Sequence, residues 1–270
     1  GTVTGVQTCA LPIFLCNRGL PTSTMSRNIL TGLVGAWCPS LGPSGYTLLD
    51  RSGRGRHASL DNFSGNPWSA VAGGWSVQFA GSSANRAVCG SAILSGTGDF
   101  TITAWVNPTT ISGTALDLHA AGNYGSGNTT GVQIGGYNSL AFGYCSSGAS
   151  LFSTSSVSAG VWFYVGFIRS GGVCTLYLNG KAEATGTRAG SIGTGRNWSI
   201  GAPADTNAGH GSSIDDQGTW SRAITAPEMW QLYQLGRGGL GRLLTQRAQR
   251  RVFRAAQGNR RRRLICGAEC

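Results

Sequence analysis

The sequence SIDDQGTWSRAITAPEMWQLYQLG, residues 213–236, is the stretch from which the fold is most readily predicted. Its first third has the character of a strand and carries two adjacent carboxylates, Asp215 and Asp216. The segment from Thr225 to Glu228 fits a capping box, which begins a helix by satisfying its first backbone N–H groups. A proline stands in the first turn, apolar residues follow at helical spacing, and a glycine ends the helix. The stretch therefore predicts a strand followed by one short helix.

The remainder of the chain has the composition and spacing of short β-strands. Glycine accounts for 44 of the 270 residues, and only 11% of the residues are charged. The cleanest strand signal is DFTITAWVNP, whose apolar side chains on one face are those of Phe100, Ile102, Ala104 and Val106. No apolar run reaches the ~18–20 residues that a membrane-spanning helix needs. The sequence therefore predicts an all-β fold, either a two-sheet sandwich or a barrel.

The order of several short motifs resembles a known family. The motifs are LVGAW at 33–37, LLDRSGRGRHASL at 48–60, WSVQFAG at 75–81, YLNG at 177–180 and the closing stretch at 213–236. Together they resemble the laminin-G-like, concanavalin A-like lectin/glucanase jelly-roll domain. The resemblance implies an antiparallel two-sheet jelly-roll sandwich over residues 28–236, with one short C-terminal helix. A leader at 1–27 and an arginine-rich tail at 237–270 would flank it.

The first residues of the chain do not have the pattern of a secretory signal. Residues 1–13 resemble a translated sequencing-adapter fragment, and Met25 is a credible native start. The segment lacks the positively charged start and the long apolar core of a signal peptide. We therefore expect a leader that is not part of the domain, and no secretory signal.

The net charge of +11 is concentrated near the C-terminus. Residues 237–263 contain ten arginines and no acidic residue, whereas residues 1–236 contain 11 basic and 9 acidic residues, a net charge of +2. Such a segment can bind phosphates by releasing counterions. The arginines considered for polyanion binding are Arg250, Arg251, Arg254, Arg260, Arg261, Arg262 and Arg263. Because only Phe253 offers a ring for base stacking there, nucleic acid is the weaker interpretation, and a solvated tail is the alternative.

The eight cysteines are scattered rather than paired in the sequence. None forms a C-x-x-C pair, which argues against a zinc site. Cys145 and Cys174 lie in predicted strands and could meet across a sheet. The alternatives for these two are a disulfide bridge and a role as small buried hydrophobic residues.

The acidic residues allow one metal site. Calcium binds six to eight oxygens from carboxylates and carbonyls, and a glycine-rich loop can supply carbonyls beside an aspartate. The resemblance implies a structural calcium ion held by Asp50 with Asp215 or Asp216. In the alternative interpretation, Asp50 caps a turn and Asp216 pairs with Arg222 or with an arginine of the 51–56 loop.

A carbohydrate-binding surface is the second candidate site. Sugar binding uses an exposed aromatic ring against the apolar face of the sugar, and amides or carboxylates for its hydroxyl groups. The loop residues with this chemistry are Trp68, Asn123, Tyr124, Asn128, Tyr137 and Asn138. The alternative is that the tryptophans belong to the core and that the Gly-Asn segments are turns.

The sequence argues against catalysis. Glycoside hydrolases need two carboxylates that flank one bond, and Glu183, Glu228 and Glu269 each lack a second carboxylate at the E-x-D-x-x-E spacing. Neighbouring residues of a strand point to opposite faces, so Asp215 and Asp216 are not expected to flank one bond. We therefore expect a protein that is not an enzyme.

These observations predict a lectin-like recognition or adhesion module whose partner is a glycan or a cell-surface polysaccharide. The chain resembles single-domain proteins with arginine-rich ends that are encoded by phages and prophages. The resemblance indicates a location on a virion or an extracellular surface, with other virion proteins as partners. The alternatives are a structural virion protein, such as a capsid decoration or tail protein that binds no sugar, and a glycoside hydrolase on the same scaffold.

Overall fold

The computed structural model describes residues 29–80, 85–111, 116–120, 132–145, 150–194, 197–201 and 211–246. These residues form the strands β1 (Leu33–Trp37), β2 (Thr47–Leu48), β3 (Ala58–Asp61), β4 (Trp68–Val71), β5 (Gly74–Phe79), β6 (Arg86–Cys89), β7 (Phe100–Pro108), β8 (Leu116–Ala120), β9 (Val132–Tyr137), β10 (Leu140–Cys145), β11 (Leu151–Ser156), β12 (Phe163–Ser170), β13 (Val173–Leu178), β14 (Lys181–Thr187), β15 (Ser199–Ile200) and β16 (Ser212–Trp220). A 3-10 turn spans Pro39–Leu41, and the C-terminal helices are α1 (Ala226–Leu235) and α2 (239–246). None of the helices in these residues is long and apolar enough to span a membrane.

The strands form one large sheet and two smaller ones. The large sheet has the order β14-β13-β12-β7-β16-β5-β4, and β1 also pairs with β16. The two four-stranded sheets have the orders β11-β10-β9-β8 and β15-β6-β3-β2. The pairings between the named strands are antiparallel. The prediction of an all-β, antiparallel, sandwich-like fold is confirmed.

The large sheet is buried on both faces because it separates two apolar clusters. The first cluster lies against the smaller sheets and includes Phe100, Ile102, Ala104 and Val106 of β7, as the alternation in the sequence predicts. The second cluster lies on the opposite face, beneath the C-terminal helices. A central strand of such a sheet needs apolar or hydrogen-bonded side chains on both sides.

Two local predictions from the sequence are confirmed. The Thr225 side chain accepts a hydrogen bond from the Glu228 backbone, and the Glu228 carboxylate accepts one from the Thr225 backbone at 2.8 Å, which completes the capping box of α1. Asn179 and Gly180 have φ values of 50° and 79° between β13 and β14, as a type I′ hairpin turn requires. Both features depend on neighbouring residues only, which is why the sequence reveals them.

The prediction that Asp215 and Asp216 lie on opposite faces of a strand is wrong. Their strand, β16, carries an irregularity between Asp215 and Gly218, and Asp216 has a φ of 47°. A bulge of this kind interrupts the alternation of side chains. The two carboxylates therefore reach the same neighbouring residue, Ser40.

The segment directly after Gly236 is folded, although the sequence assigns it to the tail. Helix α2 places Leu240 in the second cluster, where it is 4% exposed, and Leu243 and Leu244 pack against the same cluster. The spacing of these leucines is that of one helix face. The arginines predicted to bind polyanions, from Arg250 onward, lie outside the described residues.

Candidate functional site

The bulge of β16 brings two carboxylates together beside the turn at Pro39–Leu41. Asp215 Oδ1 accepts the backbone N–H of Ser40 at 3.1 Å and that of Asp216 at 2.8 Å. The Ser40 hydroxyl donates to Asp216 Oδ1 at 3.4 Å. Arg222 binds Glu228 at 2.6 Å, whereas Asp216 accepts hydrogen bonds from Ser40, Leu240 and Gly241.

Asp216 also caps helix α2 from outside that helix. Its Oδ2 accepts the backbone N–H of Leu240 at 3.0 Å, and its Oδ1 accepts that of Gly241 at 3.4 Å. The first N–H groups of a helix have no partner within the helix, and the helix dipole favours a negative charge at that end. The carboxylate therefore ties the sandwich to the C-terminal helix.

Burial dominates the electrostatics of this pair. The exposed fractions of Asp215 and Asp216 are 0% and 3%. Burial, and then the charge of Asp216, raises the pKa of Asp215 to about 7. Burial likewise raises the pKa of Asp216, against the hydrogen bonds that favour its ionised form. At neutral pH the pair therefore carries less than its full charge of two.

Two further titratable groups face the pair. Arg237 Nε lies 3.9 Å from Asp215 Oδ2, and the guanidinium lies over the ring of Trp162 at 4.0 Å. Burial raises the pKa of the Cys38 thiol well above its ordinary value, and the two aspartates add to this effect. Since the carboxylates face protein donors on several sides, the arrangement is suited to fastening elements together rather than to contacting a substrate.

Asp50, the third predicted metal ligand, has a separate set of partners. Its Oδ1 accepts the backbone N–H of Ala36 at 3.0 Å and that of Ser52 at 2.9 Å. Its Oδ2 accepts the Ser52 hydroxyl at 2.9 Å and the Arg56 backbone N–H at 3.0 Å. The carboxylate thus organises the loop between β2 and β3, in agreement with the turn-capping alternative.

The predicted calcium ligands do not form one cluster. Within the described residues there is no group of three or more His, Cys, Asp or Glu that could hold a metal ion. Both oxygens of Asp50 and of Asp216 accept hydrogen bonds from N–H or O–H donors, as does Asp215 Oδ1, whereas Asp215 Oδ2 is buried without a hydrogen-bond partner among the residues that the structure describes. Calcium requires six to eight oxygen ligands. As they stand, these residues do not fit a calcium ion, and the calcium site stays a prediction that calcium titration tests.

The predicted sugar-binding residues fall into three groups. Asn123, Tyr124 and Asn128 lie outside the described residues, and Tyr137 ends β9. Asn138 is exposed in the turn between β9 and β10, with a φ of 47°. Trp68 is 7% exposed, belongs to the first cluster and donates its indole N–H to Gly45 O at 2.7 Å. Trp68 therefore does not offer the exposed ring face that a sugar would need.

The structure reveals an aromatic array that sequence reasoning missed. Trp230 of α1 is 43% exposed, and its ring centroid lies 5.4 Å from that of Tyr233. Tyr233 stacks on Trp105 at 5.7 Å, and Trp105 contacts Tyr164 at 5.2 Å. The array, Trp230–Tyr233–Trp105–Tyr164, runs from the surface into the second cluster. The spacing of Trp230 and Tyr233 on one helix was a signal, but their contact with β7 depends on the tertiary fold.

Comparison with models of protein families gives a match over the central part of the chain. A family model described as the concanavalin A-like lectin/glucanases superfamily matches residues 79–229, more than half of the chain. No curated protein matches the chain by sequence. The remaining comparison is with solved protein structures.

Several solved structures share the fold at low sequence identity. A Trypanosoma rangeli sialidase variant displaying trans-sialidase activity has a TM-score of 0.57 at 15% identity over 79% of this chain. This chain spans only 33% of that sialidase. Domain 4 of AbnA, an extracellular GH43 arabinanase from Geobacillus stearothermophilus solved with arabinotriose, has a TM-score of 0.58 at 16% identity, with 74% of this chain and 98% of that domain covered. The binding domain of Paraclostridial Mosquitocidal Protein 1 has a TM-score of 0.58 at 15% identity, with coverages of 76% and 52%.

Proposed function

Since the chain belongs to the concanavalin A-like lectin/glucanases superfamily, we propose that it is a non-catalytic, lectin-like module that binds carbohydrate. The likeness to domain 4 of AbnA supports a binding module, because this chain covers 98% of that domain but only 33% of the sialidase. That domain was solved with arabinotriose, so oligosaccharides of this class are a suitable first probe.

The observation that carries the proposal is the exposed ring of Trp230. A sugar presents an apolar face of C–H groups, which packs against a flat aromatic ring held in place. Trp230 is held on one side by Tyr233, which is itself stacked on Trp105. The contact with Tyr233 restricts the orientation of the Trp230 side chain, and such restriction lowers the entropy cost of binding.

The positions of the carboxylates support binding rather than cleavage. Asp215 and Asp216 are adjacent but buried, so a glycosidic bond cannot come between them. Glu228 is held by Arg222 and by the cap of α1, and Glu183 accepts hydrogen bonds from Thr154 and Ser155. A glycosidase needs one acid and one nucleophile or base that both reach the substrate.

For the biological setting we propose the surface of a phage or prophage virion, where the module would attach to a cell-surface polysaccharide. The proposal rests on the resemblance to single-domain proteins with arginine-rich ends. Co-purification of the protein with virus particles tests this setting independently of sugar binding. A folded protein that copurifies with particles and binds no glycan would favour the structural alternative.

Binding is tested on a glycan array, followed by calorimetric titration of the best ligand and of arabinotriose. We expect Trp230→Ala to weaken binding about five- to tenfold or more, since loss of one ring contact costs roughly 1–1.5 kcal/mol or more. Phe152→Ala is the matched control, because Phe152 is a 39% exposed aromatic ring on β11 of a four-stranded sheet and is not part of the array. Equal affinities of both variants would exclude Trp230 as the site, and the absence of any glycan ligand for the folded protein would contradict the proposed function.

A further inference from the structure

Two cysteines from different sheets meet in the core. Cys145 ends β10 in a four-stranded sheet, and Cys174 lies in β13 of the large sheet. Both are 0% exposed members of the first cluster, and Cys174 is paired across β12 and β13 with Arg169, whose Nη1 donates to Cys145 Sγ at 3.5 Å. A disulfide requires sulfurs about 2.05 Å apart and Cβ atoms about 3.5–4.5 Å apart, so the bond forms only when the two strands bring the side chains into that geometry.

A buried guanidinium group lies against this pair. Arg169 is 0% exposed and donates to the backbone carbonyls of Gly96, Gly98 and Gly190 at 2.6–2.9 Å. Its Cζ lies 4.9 Å from the ring centroid of Phe100. In the described part of the chain Arg169 has no carboxylate partner. A buried charge without a counter-charge is costly, so an anion at this position would be strongly favoured.

The sulfur of Cys145 is placed to be that anion. Arg169 Nη1 donates to Cys145 Sγ at 3.5 Å. The hydrogen bond with Cys174 and then the charge of Arg169 lower the pKa of Cys145 against the effect of burial, with Arg188 adding in the same direction. The hydrogen bond with Cys145 and burial raise the pKa of Cys174. One sulfur is therefore favoured as a thiolate, and the other is held as a protonated thiol.

We propose that Cys145 and Cys174 form a redox-active dithiol, in which Cys145 is the nucleophile and Cys174 the resolving thiol, and which closes to a disulfide between the two sheets. The oxidant is a low-molecular-weight disulfide, which reaches the two buried sulfurs only when the strands that cover them open locally. The Cys145 thiolate attacks one of its sulfurs, which forms a mixed disulfide and releases one small thiolate. Cys174 then gives its proton to that thiolate and attacks Cys145 Sγ, and the second small thiolate leaves. Two electrons pass from the cysteines to the small disulfide, whose halves end as one thiol and one thiolate.

Arg169 makes this disulfide easy to reduce. The guanidinium stabilises the Cys145 thiolate, which exists only in the reduced form, and a stabilised reduced form raises the reduction potential of a disulfide. When the disulfide forms, the Arg169 guanidinium loses the Cys145 thiolate as its anionic partner. Arg169 is therefore a positioning residue that sets the redox equilibrium of the pair, and the disulfide forms and breaks reversibly.

The test uses the full chain in buffers with a graded ratio of reduced to oxidised glutathione. Samples start both from reduced native protein and from protein refolded under oxidising conditions; free thiols are then blocked under acid, and the peptides are mapped by mass spectrometry. We expect a linked Cys145–Cys174 species whose fraction depends on the ratio and converges from both starting points. Absence of that linkage at every ratio, or a linkage that no ratio reverses, would overturn the proposal.

Single variants separate the roles of the two sulfurs. Cys174→Ser should stop at a glutathione adduct on Cys145, and Cys145→Ser should give at least about tenfold less adduct on Cys174. Cys89→Ser is the matched control, because Cys89 is 1% exposed, belongs to the same cluster and has a pKa raised to about 12 by burial. It should leave the linkage unchanged. Adduct formation on Cys174 rather than on Cys145 would contradict the assignment.

Discussion

Asp216 holds the N-terminal end of a helix that begins more than twenty residues later in the chain: its Oδ2 accepts the backbone N–H of Leu240 at 3.0 Å. The same carboxylate accepts a hydrogen bond from Ser40, which lies 176 positions away. One side chain therefore joins the N-terminal turn, the bulge of β16 and helix α2. This makes the first residues of the predicted tail part of the domain.

Truncation of Leu240 tests whether α2 belongs to the folded domain. Leu240 is 4% exposed in the second cluster, so Leu240→Ala should lower the free energy of unfolding by about 2–4 kcal/mol. Leu235→Ala is the control, because Leu235 is 37% exposed at the end of α1 and should cost less than about 1 kcal/mol. Chemical denaturation of both variants measures the difference. Equal costs would show that α2 does not contribute to the core.

The stability of the protein should fall as the pH rises from about 4 to about 7. The carboxyl of Asp215 has an ordinary pKa of 3.8 and a folded-state pKa of about 7, so between these values only the folded state holds the proton. The stabilisation is complete below the unfolded pKa and is lost as the pH passes the folded pKa. The pKa of Asp216 is raised by burial and acts in the same direction. Melting temperatures measured across this range test the expectation.

Asp215→Asn should flatten that pH profile. The amide oxygen can still accept from Ser40, but the titrating carboxyl is gone. Asp61→Asn is the matched control, because Asp61 is partly exposed and accepts a hydrogen bond from Ser59 at 2.6 Å. Glu183 and Glu228 have lowered pKa values, so their contributions are lost only as the pH falls below their ordinary value of 4.5. A profile of Asp215→Asn that matches the parent protein would refute the assignment.

Calcium should leave the melting temperature unchanged to within about 1 °C. A ligand that binds only the folded state raises its stability in proportion to the logarithm of ligand concentration over Kd. The oxygens of Asp50 and Asp216 already accept hydrogen bonds from protein donors, which a calcium ion would have to displace. Melting curves with excess calcium and with a chelator make the comparison. A rise of several degrees with calcium would support the site predicted from the sequence.

The parts of the fold that follow from neighbouring residues could be predicted from the sequence. The capping box at Thr225 and the Asn179-Gly180 turn need only the residues in that segment, and the alternation in β7 needs only a buried face. The bulge at Asp216 could not be predicted in this way, because a φ of 47° in an aspartate is stabilised by partners from distant segments. The prediction that side chains of β16 alternate strictly between the two faces of the strand is wrong for that reason.

The candidate sites were less predictable than the fold. Trp68 and Trp230 are both tryptophans in short elements, yet one is 7% and the other 43% exposed. What separates them is packing: Trp68 lies between sheets, whereas Trp230 lies on the outer side of a helix. The contact of Cys145 with Cys174 was an open alternative in the sequence, and the buried charge of Arg169 beside it required the structure.

Gly180 controls the position of the exposed aromatic ring, and its replacement tests the aromatic array. A Cβ atom at Gly180 would lie 2.8 Å from the ring of Trp230 and 3.0 Å from Tyr233 Cβ, and its φ of 79° is unfavourable for other residues. Gly160→Ala is the matched control, because Gly160 has a φ of 73° but nothing within 4 Å of the added atom. Gly160→Ala should cost about 1 kcal/mol from the backbone alone, and Gly180→Ala about 1–3 kcal/mol more from the steric overlap. Two outcomes would show that the position of the Trp230 ring does not depend on the turn at Gly180. One is an equal loss of unfolding free energy in Gly180→Ala and Gly160→Ala, and the other is an unchanged sugar affinity in a folded Gly180→Ala variant.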